Sequence, residues 1–300
     1  MQDSRKFLHP DALKRISRLD LRAKHVVEGF LSGMHRSRYF GQSVEFLQHR
    51  EYVPGDDLRH VDWQVWARQD RLYVKQFEED TNMRVTLIVD ISESMSYGNG
   101  PFNKFDYAAT IAASLGYLAL KHQDAVGCIT FDRKVRDRIQ SRTRIDHFQK
   151  ITQSLAAQSL IEKTAIDPII REIAQTLPRN GMVIVISDLF SEPIETIRGL
   201  KTLRQKGHEV LLFQVIDDDE LEFPFTGATR FEGMESDIRL TCNPQALRDG
   251  YLHEFHSFLN EMRKGSAKNN LDYQLVKTSD PLDAALAKFL TRRMSRNRKR

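Results

Sequence analysis

Apolar and polar positions follow two different rhythms along this chain, and the change comes near residue 84. From there on, short and almost uninterrupted apolar runs recur at 84–90 (RVTLIVD), 125–131 (AVGCITF), 182–188 (MVIVISD), 209–216 (EVLLFQVI) and 271–277 (LDYQLVK). Runs this short and this apolar predict strands covered on both faces. Helical spacing fills the intervals at 103–121, 144–157, 166–176, 193–206, 244–264 and 281–293. In the first of these, Phe105, Ala108, Ala109, Ala112, Leu115, Leu118 and Ala119 fall on one helical face. Asn180-Gly181 and Lys206-Gly207 punctuate helix-to-strand turns. The polar stretch 134–140 reads as an edge strand, and 219–243 breaks the rhythm as a hairpin or loop excursion. Alternating strands and helices of this kind predict a doubly wound, mainly parallel α/β sheet over residues 82–293.

The N-terminal part has a different texture. Ala12, Ile16 and Leu19, then Leu21, Val26, Val27, Phe30 and Leu31, carry helical spacing that ends at Gly33. Residues 36–80 mix short aromatic and β-branched pieces with many charges, and 51–80 hold eight acids against four bases. We therefore expect a small lobe of helices and short strands at 1–81, the sheet domain at 82–293 and a basic tail at 294–300.

Composition narrows the function classes. Forty per cent hydrophobic and 29% charged residues are ordinary for a globular protein. No apolar run is long enough to span a bilayer, and the N-terminus has no apolar signal core. The two cysteines, Cys128 and Cys242, form no CxxC motif, which fits a reducing compartment, so a cytoplasmic location is expected. The last ten residues carry six bases and no acid; without those six charges the formal net charge falls from +4 to −2. A nucleic-acid role thus rests on the tail alone, and none is expected.

The candidate chemistry lies at strand ends. Asp90-Ile91-Ser92-Glu93-Ser94 leaves the C-terminal end of the first apolar strand, where open α/β sheets bind ligands. A carboxylate and two hydroxyls are hard oxygen donors suited to Mg²⁺ or Mn²⁺. The alternative is a plain helix N-cap. Strand 182–188 ends in a second acid, Asp188, which shares a crevice with Asp90 if the two strands are neighbours. Thr164 offers a further hydroxyl before the helix at 166, or caps that helix instead. A Mg²⁺-dependent phosphohydrolase starts from the same aspartate, but such enzymes generally need an acid where Ser92 stands. No P-loop, HExxH or GxSxG motif is present. His49, His60 and His147 are isolated in the sequence and read as surface or network residues.

The set Asp90, Ser92, Ser94, Thr164 and Asp188 resembles the metal-ion-dependent adhesion site of von Willebrand factor A domains. The resemblance implies a divalent cation held from three loops, with one open position that a partner's carboxylate can take. Two positions depart from that pattern: Leu189 follows Asp188 where glycine is frequent, and Glu162 stands two before Thr164 where glycine is frequent.

A second resemblance covers more of the chain. Glu51, Tyr52, Gly55, Asp56, Asp57, Arg59, Asp62, Trp63, Ala67 and Arg68, followed by Leu72, Val74, Lys75, Phe77 and Glu78, are similar to the recurring pattern of the DUF58 family. It implies a von Willebrand A-like domain without demonstrated catalysis, working with a MoxR-type AAA+ ATPase or its client. The residues themselves support a turn at Pro54-Gly55 and an apolar stripe of Leu58, Val61 and Val65. Trp63 and Trp66 add apolar area, and Arg59, Asp62, Arg68 and Asp70 can form an ion-pair network or meet a partner.

Overall fold

The computed structural model describes residues 9–35, 46–54, 61–63, 65–66, 71–77, 83–160, 166–234, 239–283, 286–289 and 291. The chain divides into two compact units, one of Met1–Leu31 with Asn82–Leu290 and one of Ser32–Thr81 with Thr291–Arg300. The first thirty-one residues therefore belong with the sheet domain, not with the small lobe in which the sequence reading put them. The physical reason is a buried stripe. Helix α1 (Pro10–Leu13) precedes α2 (Leu19–His35), and α2 buries Ala23, Val26, Val27 and Phe30 at helical spacing. Arg22 is buried with them, donates to Thr110 Oγ1 at 3.1 Å and lies 4.6 Å over the Phe102 ring.

In the second unit, β1 (Phe46–Glu51) pairs antiparallel with β2 (Tyr73–Phe77), and Val61 bridges to Val74. Asp62 is buried and accepts from the Val65 N–H at 3.3 Å, so it acts as a local cap. Trp63 and Trp66 contact each other edge to face with centroids 6.1 Å apart. They remain 55% and 43% exposed, so much of the apolar area they add stays unburied. Of the proposed ion network, Arg59, Arg68 and Asp70 lie outside the described residues.

The large unit is built on six strands: β3 (Arg84–Asp90), β4 (Ala125–Phe131), β5 (Val135–Arg142), β6 (Gly181–Ser187), β7 (His208–Ile216) and β10 (Asp272–Lys277). Counted from β3 along the chain, their order in the sheet is 3-2-1-4-5-6. All neighbours are parallel except β4 and β5. This is the doubly wound, mainly parallel architecture anticipated, with the polar segment as its antiparallel edge. The strand order reverses beside β3, which is flanked by β4 and β6.

Both faces of the sheet are covered, which is why its strands lack polar alternation. On one side Ile88, Val183, Val185, Val210 and Leu212 pack with α5 (Ile166–Thr176) and α6 (Pro193–Gln205). The intervening Val85, Leu87 and Val89 are equally buried. Helix α3 (Lys104–Lys121) covers them, and Gly116 permits its close approach, since a Cβ there would sit 3.3 Å from Leu87 Cδ1. Helix α4 (His147–Ala156) precedes α5. The excursion after β7 resolves into a one-turn helix α7 (Asp218–Glu222) and a hairpin of β8 (Thr229–Glu232) and β9 (Arg239–Cys242). Helix α8 (Pro244–Lys268) then leads to β10. Among the described residues, no helix is long and apolar enough to cross a membrane.

Candidate functional site

The strand-order reversal brings the ends of β3 and β6 side by side. Val89 pairs with Ile186, so Asp90 and Ser187 occupy the next level, with Asp188 one residue beyond. Asp90 is fully buried and both of its oxygens are engaged. Oδ1 accepts from the Ser92 N–H at 2.9 Å, and Oδ2 accepts from the Ser187 hydroxyl at 2.5 Å. The chain beyond Asp90 stays attached to β4 through the Ile91 N–H to Phe131 carbonyl bond at 2.8 Å. It then enters a 3₁₀ turn at Glu93–Ser96, anchored by the buried Met95.

Ser92 stands at the N-cap of that turn, yet its side chain makes no capping bond. Its hydroxyl lies 3.0 Å from the Ser94 hydroxyl instead. The N-cap alternative therefore does not account for Ser92.

Asp188 is held as firmly from its own side. Its carbonyl accepts from Gln214 Nε2 at 2.8 Å, and Gln214 Oε1 in turn accepts from the Tyr273 hydroxyl at 2.7 Å. Its Oδ1 accepts from the Phe190 N–H at 3.2 Å. Leu189, between them, has φ +59°, the left-handed conformation in which glycine is at ease. Its side chain is nevertheless fully buried in the sheet core. Leucine in place of glycine thus exchanges backbone comfort for an apolar anchor. Thr164 and Glu162 lie outside the described residues.

The structure also adds residues that no motif announced. Lys104, the first residue of α3, is 1% exposed and donates to Asp188 Oδ2 at 2.9 Å and to Glu220 Oε1 at 2.7 Å. Its ammonium lies 4.7 Å from the Phe190 ring centroid. Glu220 is positioned by α7, whose capping box has Glu220 Oε2 accepting from the Asp217 N–H at 2.8 Å. Tyr97 and Asn99 both donate to Asp219 Oδ2, tying the 3₁₀ turn region to α7.

The electrostatics follow from burial. Burial first, and the Asp188 charge second, push Asp90 up to about 7, against hydrogen bonds from Ser187 and Ser92 that favour its ionised form. Burial opposes the charge on Lys104, but Asp188 and Glu220 outweigh it and hold the ammonium above its ordinary range. Asp90 is thus a carboxylate whose charge is disfavoured by burial and by the neighbouring Asp188.

The donors present fit a hard divalent ion. They are two carboxylates and two hydroxyls, with no sulfur or imidazole among them. Adjacent ligands of an octahedral Mg²⁺ with bonds of about 2.1 Å are separated by about 3 Å, and the two serine hydroxyls already stand 3.0 Å apart. Among the described residues, no group of three or more His, Cys, Asp or Glu side chains is arranged for a metal, so any site here depends on the hydroxyls.

The family described as "Protein of unknown function DUF58" matches residues 48–257. Uncharacterized proteins of Mycobacterium bovis (Mb1516) and Mycobacterium tuberculosis (Rv1480) are each 30% identical over 251 residues, covering 81% of this chain and 77% of theirs. Among solved structures, BatB from Bacteroides thetaiotaomicron is similar at 16% identity and a TM-score of 0.46, over 71% of this chain and 99% of that one. The SpRpn10 VWA domain is similar at 10% identity and a TM-score of 0.40, over 69% and 95%.

Proposed function

Because the chain belongs to the DUF58 family, we propose that it is a non-enzymatic adaptor whose protein contacts depend on a divalent cation, Mg²⁺ or Mn²⁺. Asp90, Ser92, Ser94 and Asp188 hold the ion, with Thr164 as the remaining ligand. The observation that carries this reading is the convergence of the β3 and β6 ends. It puts a buried, charge-disfavoured Asp90 beside Asp188, with a Ser92 hydroxyl that makes no capping bond and lies 3.0 Å from that of Ser94.

Each residue has a definable task. Ser187 and the Ser92 N–H orient the Asp90 carboxylate. Gln214 and the Phe190 N–H orient Asp188. Met95, buried under the turn, keeps the two serines in place. When bound, the cation supplies an open coordination position for a carboxylate from another protein. The partner is a MoxR-type AAA+ ATPase or its client, met in the cytoplasm.

Calorimetric titration with Mg²⁺ and with Mn²⁺ tests the ion, using the wild-type chain and Asp90→Ala. Binding by the wild type and its loss in the variant are expected; identical heats from both proteins refute Asp90 as a ligand. Capture of a MoxR-type ATPase with and without EDTA tests the partner. Undiminished capture in EDTA by an Asp90→Ala, Ser92→Ala double variant refutes the cation bridge.

A further inference from the structure

Lys104 is the most deeply buried cation described near the site, and its placement calls for an explanation other than stability. Its side chain is 1% exposed, and its ammonium spans two carboxylates from separate elements, Asp188 after β6 and Glu220 in α7. Buried ion clusters of this kind are poor stabilisers relative to apolar residues of the same volume, because desolvation offsets most of the attraction. The position is also built, not incidental. Asn103 caps α3 by accepting from the Asp106 N–H at 2.7 Å, and the Lys104 N–H donates to the Tyr97 carbonyl at 2.8 Å. These bonds aim the lysine stem inward, beneath the face of the Phe190 ring.

The charges explain what it does there. Asp90, Asp188 and Glu220 present three carboxylates, and Lys104 offsets one of them. The same Asp188 carboxylate is a ligand in the cation site proposed above, on which this inference rests. An ammonium and a divalent cation cannot both have full use of it.

We propose that Lys104 is an internal competitor for the divalent cation: its ammonium occupies Asp188 in the ion-free protein and lowers the site's cation affinity. When a divalent ion takes Asp188, the ammonium keeps Glu220 and the Phe190 face, so it stays neutralised without leaving the interior. Glu220 is then the residue that decides how readily Lys104 releases Asp188. Because its other oxygen caps α7, the exchange is felt at that helix as well.

Two substitutions of opposite expected sign test this. Lys104→Met keeps most of the unbranched stem, one atom shorter, and removes its charge. Unit charges a few ångströms apart at the effective dielectric of a protein interact by several times the thermal energy. Mg²⁺ affinity measured by calorimetry should therefore rise by about tenfold or more. Glu220→Gln leaves the ammonium with Asp188 as its one carboxylate, and Mg²⁺ affinity should fall several-fold. In EDTA, Lys104→Met should melt below the wild type and recover on addition of Mg²⁺. A residue that merely props up the fold would weaken binding in both variants.

Unchanged or weaker binding in a folded Lys104→Met overturns the competitor role, while the cation site itself stands if Asp90→Ala still abolishes wild-type binding. Unchanged affinity in Glu220→Gln overturns the role equally, and does so even if Lys104→Met fails to fold. Mg²⁺ binding by Lys104→Met alone, with a silent wild type, supports the competitor and refutes cation dependence of the native chain. No binding by either protein overturns both.

Discussion

Replacing Leu189 with alanine and with glycine separates two opposing effects at the loop that carries Asp188. Leu189 is fully buried in the sheet core, and truncating a buried leucine to alanine destabilises by about 3–5 kcal/mol through lost transfer energy and cavity formation. Its φ of +59° is the opposing effect. A left-handed conformation disfavours any residue with a Cβ by about 1–2 kcal/mol. Leu189→Ala loses the packing and keeps that strain, so the full 3–5 kcal/mol (~) should appear. Leu189→Gly loses slightly more burial and gains unfolded-state entropy, together about 1–2 kcal/mol, but it relieves the strain by a similar amount. The two variants should therefore be about equally destabilised. At an ordinary buried position, glycine would fall below alanine by about 1–2 kcal/mol. Urea denaturation followed by far-ultraviolet circular dichroism is the suitable assay. Tryptophan fluorescence is not, because Trp63 and Trp66 belong to the other unit. A glycine variant less stable than the alanine variant by more than about 1 kcal/mol would refute the assignment of strain to this loop.

Two further outcomes follow from buried groups away from the site. Burial depresses the pKa of His147, with the neighbouring Arg142 and Lys150 acting in the same direction against backbone acceptors at Gln140 and Val126. The unfolded chain then binds the proton more readily, so stability is undiminished above about pH 6.5 and declines as pH falls below it. His147→Gln should shrink the difference between urea midpoints at about pH 7.5 and about pH 5.5, and an unaltered difference would count against it. Burial, with Asp137 adding to it, pushes the Cys128 thiol up to about 12. In the native chain a maleimide should thus modify Cys242 and spare Cys128, and equal rates at both would contradict the packing of β4.

Much of this molecule was legible in the order of its residues, because the signals concerned are local. A strand covered on both faces has to be apolar throughout, so β3, β4, β6 and β7 declare themselves within seven to nine residues each. Asp90, Ser92 and Ser94 lie within one turn, and Asp188 ends an equally plain strand. The right-handed winding of consecutive parallel strands then leaves few places for β3 and β6 other than side by side. What the sequence could not declare is set by distance along the chain. Lys104 meets Asp188 and Glu220 across 84 and 116 residues. At the start of an amphipathic helix it looks like any solvated lysine. Ser187 is hidden in the same way, since a serine ending an apolar strand carries no mark that its hydroxyl will reach Asp90. The two tryptophans show the converse, for their type suggests burial and only the packing around them decides how much is attained. Local pattern determined the strands and the oxygen donors; the charge environment of those donors was decided by residues that only the folded sheet and its covering helices bring together.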